Sequence, residues 1–208
     1  MVHGDAKGLK LPPRVAPIQV VIVPILSKSG SLTAVEAAVG NVERMLSPVA
    51  RVRVDWRDDR SPGFKFNDWE RRGVPLRLEI GPRDAAADQA VIVRRDTGNK
   101  QIVPLAEVQN SVLTLLDEIQ SSLLVTARRS LFDHSAKVNT FDELAERVKA
   151  NAGWSLAWWC GDAACEARVK GETKATIRCI PFAQTELPMP CVACGRSGTQ
   201  EVIFSRAY

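Results

Sequence analysis

SPGFKFNDWERRGVPLRLEIGPRD, residues 61–84, is the stretch whose reading decides the fold. Within it, Pro75 to Ile80 alternates Leu76, Leu78 and Ile80 with Arg77 and Glu79. The period of two that marks a strand sends those aliphatics into a core and the charges to the other face, so Arg77 is expected on an open sheet surface. Upstream, Trp69-Glu70-Arg71-Arg72 runs into Gly73, the signature of a short helix with a glycine terminus, and downstream Gly81-Pro82-Arg83-Asp84 turns the chain. Glu70, Arg77, Arg83 and Asp84 are therefore expected to converge on one site. Its chemistry suits guanine: an arginine fork pairs with O6 and N7, a carboxylate accepts from Watson–Crick donors, and Phe66 can stack on an unpaired base. A solvated sheet face is the alternative these residue types leave open.

Outward from this stretch the pattern is that of an α/β domain. Ile18 to Val23, IQVVIV, is aliphatic at every position but Gln19, as for a central strand buried on both faces. Thr33-Ala-Val-Glu36 matches a capping box, and Val35, Val39, Val42 and Leu46 recur at helical spacing. Val52 and Val54 form a second strand, and strand, helix, strand implies a right-handed crossover with parallel pairing. Gln89 to Arg94 and Gln101 to Val103, joined through Asp96-Thr-Gly-Asn99, read as a hairpin. The sum is a five-stranded mixed sheet. Pro104 then opens a long amphipathic helix with Val108, Val112, Leu115, Leu116, Ile119 and Leu123 on one face. Arg128, Arg129 and Lys137 near its end read as opposing the helix dipole, with phosphate contact as the alternative.

A second domain is expected from a boundary near residues 130–140. Thr140-Phe-Asp-Glu143 is another capping box, Phe141, Leu144 and Val148 share a face, and an aromatic strand follows at Trp154 to Trp159. Ile177 to Phe182 and Glu201 to Ser205 supply further strands. Cys160-x4-Cys165 and Cys191-x2-Cys194 are separated by 25 residues. Four thiolates in turn-like sequence suit a closed, structural tetrahedral zinc site, with two disulfides or a metal-free remnant as the alternatives. Cys179 lies in strand-like sequence and is expected to be a buried small residue.

The chain has 208 residues, 45% apolar composition and a net charge of +4. Residues 51–84 mix nine basic with seven acidic groups, which excludes an indiscriminate polyanion binder and fits a structured RNA better than DNA or a membrane. No apolar run approaches the ~20 residues of a spanning helix. A cytoplasmic setting is expected, in which cysteines serve as ligands or free thiols. No nucleophile–base pair or phosphate loop is present, and His3, alone in a polar lead, is assigned no role.

Residues 61–84 also resemble the anticodon-binding domain of prolyl-tRNA synthetases of the archaeal and eukaryotic type, whose pattern PGxKFxxWExxGVPxRxExGPxD they carry. The likeness extends from His3-Gly4-Asp5 and Gly8 to Pro13 through to Tyr208. It implies a class II synthetase anticodon-binding domain at 15–133, a small α+β zinc domain at 134–208, and residues 1–14 as the exit from a catalytic domain. It implies that Phe66, Glu70, Arg77, Arg83 and Asp84 face the anticodon of tRNA(Pro), two bases of which are guanines. It also implies zinc on Cys160, Cys165, Cys191 and Cys194. ATP, Mg2+ and proline would be handled upstream in a homodimeric ligase, so these 208 residues alone are expected to be inactive. By the same likeness the carboxylate of Tyr208 would fold back toward the proline site. A free-standing RNA-binding or adaptor module derived from a synthetase is the rival reading.

Overall fold

The chain begins with an antiparallel pair, β1 (Gly4–Asp5) and β2 (Gly8–Leu9), followed by β3 (Val20–Pro24), all five residues of which are buried. This computed structural model describes residues 3–26, 32–184 and 188–206. It divides into two units, Met1–Ala127 and Arg128–Tyr208.

In the first unit, α1 (Leu32–Leu46) carries the chain from β3 to β4 (Val52–Val54), and α2 (Pro62–Arg72) carries it from β4 to β5 (Leu76–Ile80). Both β4 and β5 pair parallel to β3, one on each side. Two right-handed crossovers that leave in opposite directions must lie on opposite sheet faces. The cores agree: Val20 and Ile22 pack with α1 and with Leu76, Leu78 and Ile80, whereas Val21 and Val23 pack with Trp69, Val74 and Phe66 on the α2 side. After the short α3 (Pro82–Ala86), the antiparallel β6 (Gln89–Arg94) and β7 (Lys100–Pro104) complete the order β4-β3-β5-β6-β7, the five-stranded mixed sheet expected.

A 3-10 turn (Leu105–Glu107) leads into α4 (Val108–Asp133), whose Val108, Val112, Leu115, Leu116, Ile119 and Leu123 are buried on the α1 face. Its 26 residues run on past the apolar stripe, which ends at Leu123. Thr33 does not cap α1, which already begins at Leu32.

The second unit holds a four-stranded sheet of order β10-β11-β9-β8, made of β8 (Ser135–Lys137), β9 (Trp154–Trp159), β10 (Ala175–Cys179) and β11 (Gln200–Arg206). The predicted capping box holds: Thr140 Oγ1 accepts from Glu143 N–H at 3.2 Å, opening α5 (Phe141–Lys149) between the parallel β8 and β9. A further helix, α6 (Ala163–Thr173), stands where turns were read, capped by Asp162, whose Oδ1 accepts from Ala164 N–H at 2.9 Å. Leu144, Val148, Cys165 and Val169 of the two helices bury Ala157, Val202 and Phe204 of the sheet. Among the described residues no helix is long and apolar enough to cross a membrane.

Candidate nucleic-acid interface and metal centre

The expectation that Arg77 stands on an open face is corrected: the residue is 7% exposed. It pairs with Val21 of β3 and Val93 of β6 in mid-sheet, on the face that α2 covers. The cause is topological, since a strand reached by a parallel crossover has the crossover helix lying over it, so both faces are enclosed and β5 is buried throughout. Alternation placed the charges on the correct face but could not show that a helix roofs it.

Enclosed there, Arg77 donates from all three of its nitrogens. Its Nε and Nη2 donate to Glu79 Oε1 at 3.0 and 2.9 Å, and its Nη1 donates to Glu70 Oε1 at 3.3 Å. The guanidinium lies over the Phe66 ring, 4.2 Å from its centroid. Phe66 and Glu70 are four apart on α2 and Arg77 and Glu79 two apart on β5, so helical and strand periodicity bring all four side chains to one spot. Lys100 Nζ lies 3.8 Å from Glu79 Oε1, and Lys7 Nζ lies 3.8 Å from Glu70 Oε2.

Arg83 and Asp84 sit apart from this cluster on α3, which packs against α1 and β6. Arg83 is exposed, while Asp84 Oδ2 accepts from Gly81 N–H at 2.9 Å and so caps its own helix. Of the five residues singled out in sequence, the structure joins Phe66, Glu70 and Arg77.

A second polar network fixes α2 in place. Asp55, just past β4, accepts from Trp69 Nε1 at 2.7 Å and from Arg57 Nε and Nη2 at 2.9 and 2.7 Å, and its carbonyl accepts from Lys65 Nζ at 3.1 Å. Burial opposes ionisation of Asp55, but the hydrogen bonds from Arg57 and Trp69 outweigh it and draw its pKa down to about 2. Arg57 also reaches Asp68 Oδ2 at 3.1 Å, and Arg72 reaches Asp68 Oδ1 at 3.2 Å. Glu79 and this network escaped the sequence reading. The available signal was the density of charge in residues 51–84 against a segment that must also pack.

In the second unit, the sulfurs of Cys160, Cys165, Cys191 and Cys194 all lie within 4.8 Å of one another. Cys160 follows β9, Cys165 is in the first turn of α6, and the other two occupy the turn before β11. Gly195, at φ +72°, closes that turn, and its N–H donates to Cys191 O at 2.8 Å. Sγ of Cys160 is 3.6 Å from Sγ of Cys165 and 3.8 Å from that of Cys194. These separations are far beyond a disulfide bond and match the ~3.8 Å edge of a tetrahedron built on metal–sulfur bonds of ~2.3 Å.

Four sulfurs with no open position suit a structural ion. Burial pushes the Cys165 thiol up to about 12, whereas the Arg196 guanidinium, its Nε 3.3 Å from Cys194 Sγ, brings that thiol down to about 6. Arg196 also bridges to Asp162 Oδ2 at 2.6 Å. The expectation for Cys179 is corrected, because it is exposed: β10 is an edge strand whose register slips between Ile177 and Cys179, releasing its last residue from the core.

The first unit matches the family model described as "Anticodon binding domain" over residues 19–115, and the second matches "Prolyl-tRNA synthetase, C-terminal" over residues 141–208. A crystal structure of prolyl-tRNA synthetase from Cryptosporidium parvum complexed with halofuginone and AMPPNP superposes with a TM-score of 0.91 at 35% identity, covering 100% of this chain and 44% of that one. The chain matches prolyl-tRNA synthetases along its whole length. Proline–tRNA ligases of Natranaerobius thermophilus and Symbiobacterium thermophilum are 44% and 46% identical to it, over 100% of its length. The chain spans 43% and 44% of those two prolyl-tRNA synthetases. Phe66, Glu70 and Arg77 fall inside the anticodon-binding match, and Cys160, Cys165, Cys191 and Cys194 inside the C-terminal one. Tyr208 lies outside the described residues.

Proposed function

We propose that this chain is the tRNA-recognising part of a proline–tRNA ligase, with residues 15–133 reading the anticodon of tRNA(Pro) and residues 134–208 forming a zinc-stabilised domain. The observation that carries the reading is the contact between Phe66, Glu70 and Arg77 inside the segment that matches an anticodon-binding domain. An arginine fork beside a carboxylate complements guanine, whose O6 lies between the N7 acceptor and the N1 donor. Arg83 and Asp84 flank the anticodon from α3. ATP- and Mg2+-dependent attachment of proline belongs to other parts of a cytoplasmic, homodimeric ligase. Zinc, on the four cysteines, would supply no chemistry beyond cross-linking the fold.

The test is binding of the chain to a proline-tRNA anticodon stem-loop beside one with both guanines replaced, at two salt concentrations. Arg77→Lys keeps a charge for Glu79 but loses the fork, and should erode the preference for guanine. Arg128→Ala should weaken both stem-loops alike or neither, as for a phosphate contact. Equal affinity of the unmodified chain for the two stem-loops would refute the reading.

A further inference from the structure

Glu79 has no part in the reading above, yet it makes the tightest contact in the cluster. A guanidinium presents five N–H groups along fixed edges: one shared by Nε and one terminal nitrogen, the other formed by the two terminal nitrogens. Glu79 Oε1 lies 3.0 Å from Nε and 2.9 Å from Nη2, straddling the first edge. The Phe66 ring at 4.2 Å fixes the plane of the group, leaving one in-plane direction open.

We propose that Glu79 is a positioning residue for guanine readout, holding Arg77 so that only its Nη1–Nη2 edge meets the base. The inference rests on the anticodon reading and deepens it. Glu79 and Arg77 stand two apart on one strand and side by side on its α2 face, so the backbone sets their separation. Both side chains are 9% exposed while that of Glu70, which accepts from Nη1, is 22% exposed, so the Glu70 side of the cluster is the more open one. Lys100, its Nζ 3.8 Å from Glu79 Oε1, places a second cation beside this acceptor. The guanidinium is thus aimed before RNA arrives. Aim that is built in is aim that need not be acquired on binding, which is where a fork contact gains its selectivity.

The experiment compares stem-loops carrying guanine with stem-loops carrying 7-deazaguanine, which lacks only the N7 acceptor. The unmodified chain should lose affinity on that change by about fivefold to a hundredfold, the range of a bidentate base contact. Glu79→Gln, equal in size but uncharged, should cut the penalty to about twofold or less if the fork is no longer aimed. A full 7-deaza penalty in folded Glu79→Gln would overturn the inference while leaving the anticodon reading intact. Equal binding of guanine and adenine stem-loops by the unmodified chain would instead overturn that reading and this inference together. Should Glu79→Gln not fold, the unmodified chain still decides. Its Arg77 Nε–H resonance should be protected from exchange both free and RNA-bound, and an Nε–H that exchanges freely or becomes protected only with RNA would refute the clamp.

Discussion

Arg95 grips Asp5 across 90 positions of sequence, with Nη2 2.7 Å from Oδ1 and Nη1 2.9 Å from Oδ2. The same guanidinium donates through Nε to Glu70 O at 2.8 Å, so the β1–β2 pair, the end of α2 and β6 meet at one side chain. Arg95 is buried, and a buried cation left without its carboxylate is costly. Asp5→Ala should therefore lower the thermal midpoint of the first unit and weaken stem-loop binding together, because Glu70 loses its support. Circular dichroism melting and a binding titration on the same samples check this; a fall in one without the other would separate the hairpin from Glu70.

Asp55 gives a pH dependence with a definite sign. Its folded pKa of about 2 lies below the ordinary 3.8, so the protein gains stability from ionised Asp55 above pH ~4 and loses it as pH falls through 2. The loss is on the order of 2 kcal/mol, from the pKa difference at ~1.4 kcal/mol per unit. Urea denaturation of the native chain and Asp55→Asn between pH 6 and 2 should show the native advantage shrinking toward the acid end. A constant difference would assign the effect elsewhere.

Removing one partner from the Arg77–Glu79 pair strands a buried charge. Arg77→Ala should destabilise by about 3–5 kcal/mol, whereas changing both residues to Met should recover most of that loss. Chemical denaturation of Arg77→Met, Glu79→Met and the double variant measures the coupling. Additive single losses would mean that the pair is not held as a unit.

Stripping metal from the second unit should unfold it while the first sheet remains, since structural zinc is coupled to folding. Trp154, Trp158 and Trp159 of β9 lead directly into Cys160, so chelation should shift tryptophan fluorescence. One zinc per chain is expected by metal analysis of reduced protein. Chelation without spectral change, or metal well below one equivalent, would count against the site.

Much of this was legible from residues because the period of the apolar positions is local information. Ile18 to Val23, Val108 to Leu123 and Thr140-x-x-Glu143 announce strand, helix and cap without reference to anything distant. The cysteine set was equally plain, its spacing needing only turns to bring the sulfurs together. Arg77 was not, because whether a charged strand face is wet depends on where the next helix crosses. That follows from the order of β4, β3 and β5 in the sheet rather than from any run of residues. The α6 helix was hidden because its apolar positions form no clean stripe beyond Cys165 and Val169, and Asp162 read as part of a turn rather than as a cap. Asp5 and Arg95 carry no sign of one another in sequence.

The four cysteines draw part of the second unit into a ring. Cys165 and Cys191 bracket the C-terminal part of α6, the whole of β10 and the exposed Phe182, and an ion on all four sulfurs closes that stretch on itself. A single cut of the backbone near Phe182 would then leave two pieces, each carrying two of the four ligands, still tied through the metal. Limited proteolysis of the loaded protein should thus yield a nicked species that travels as one particle and parts only on chelation, making the ion a stand-in for the peptide bond that was lost.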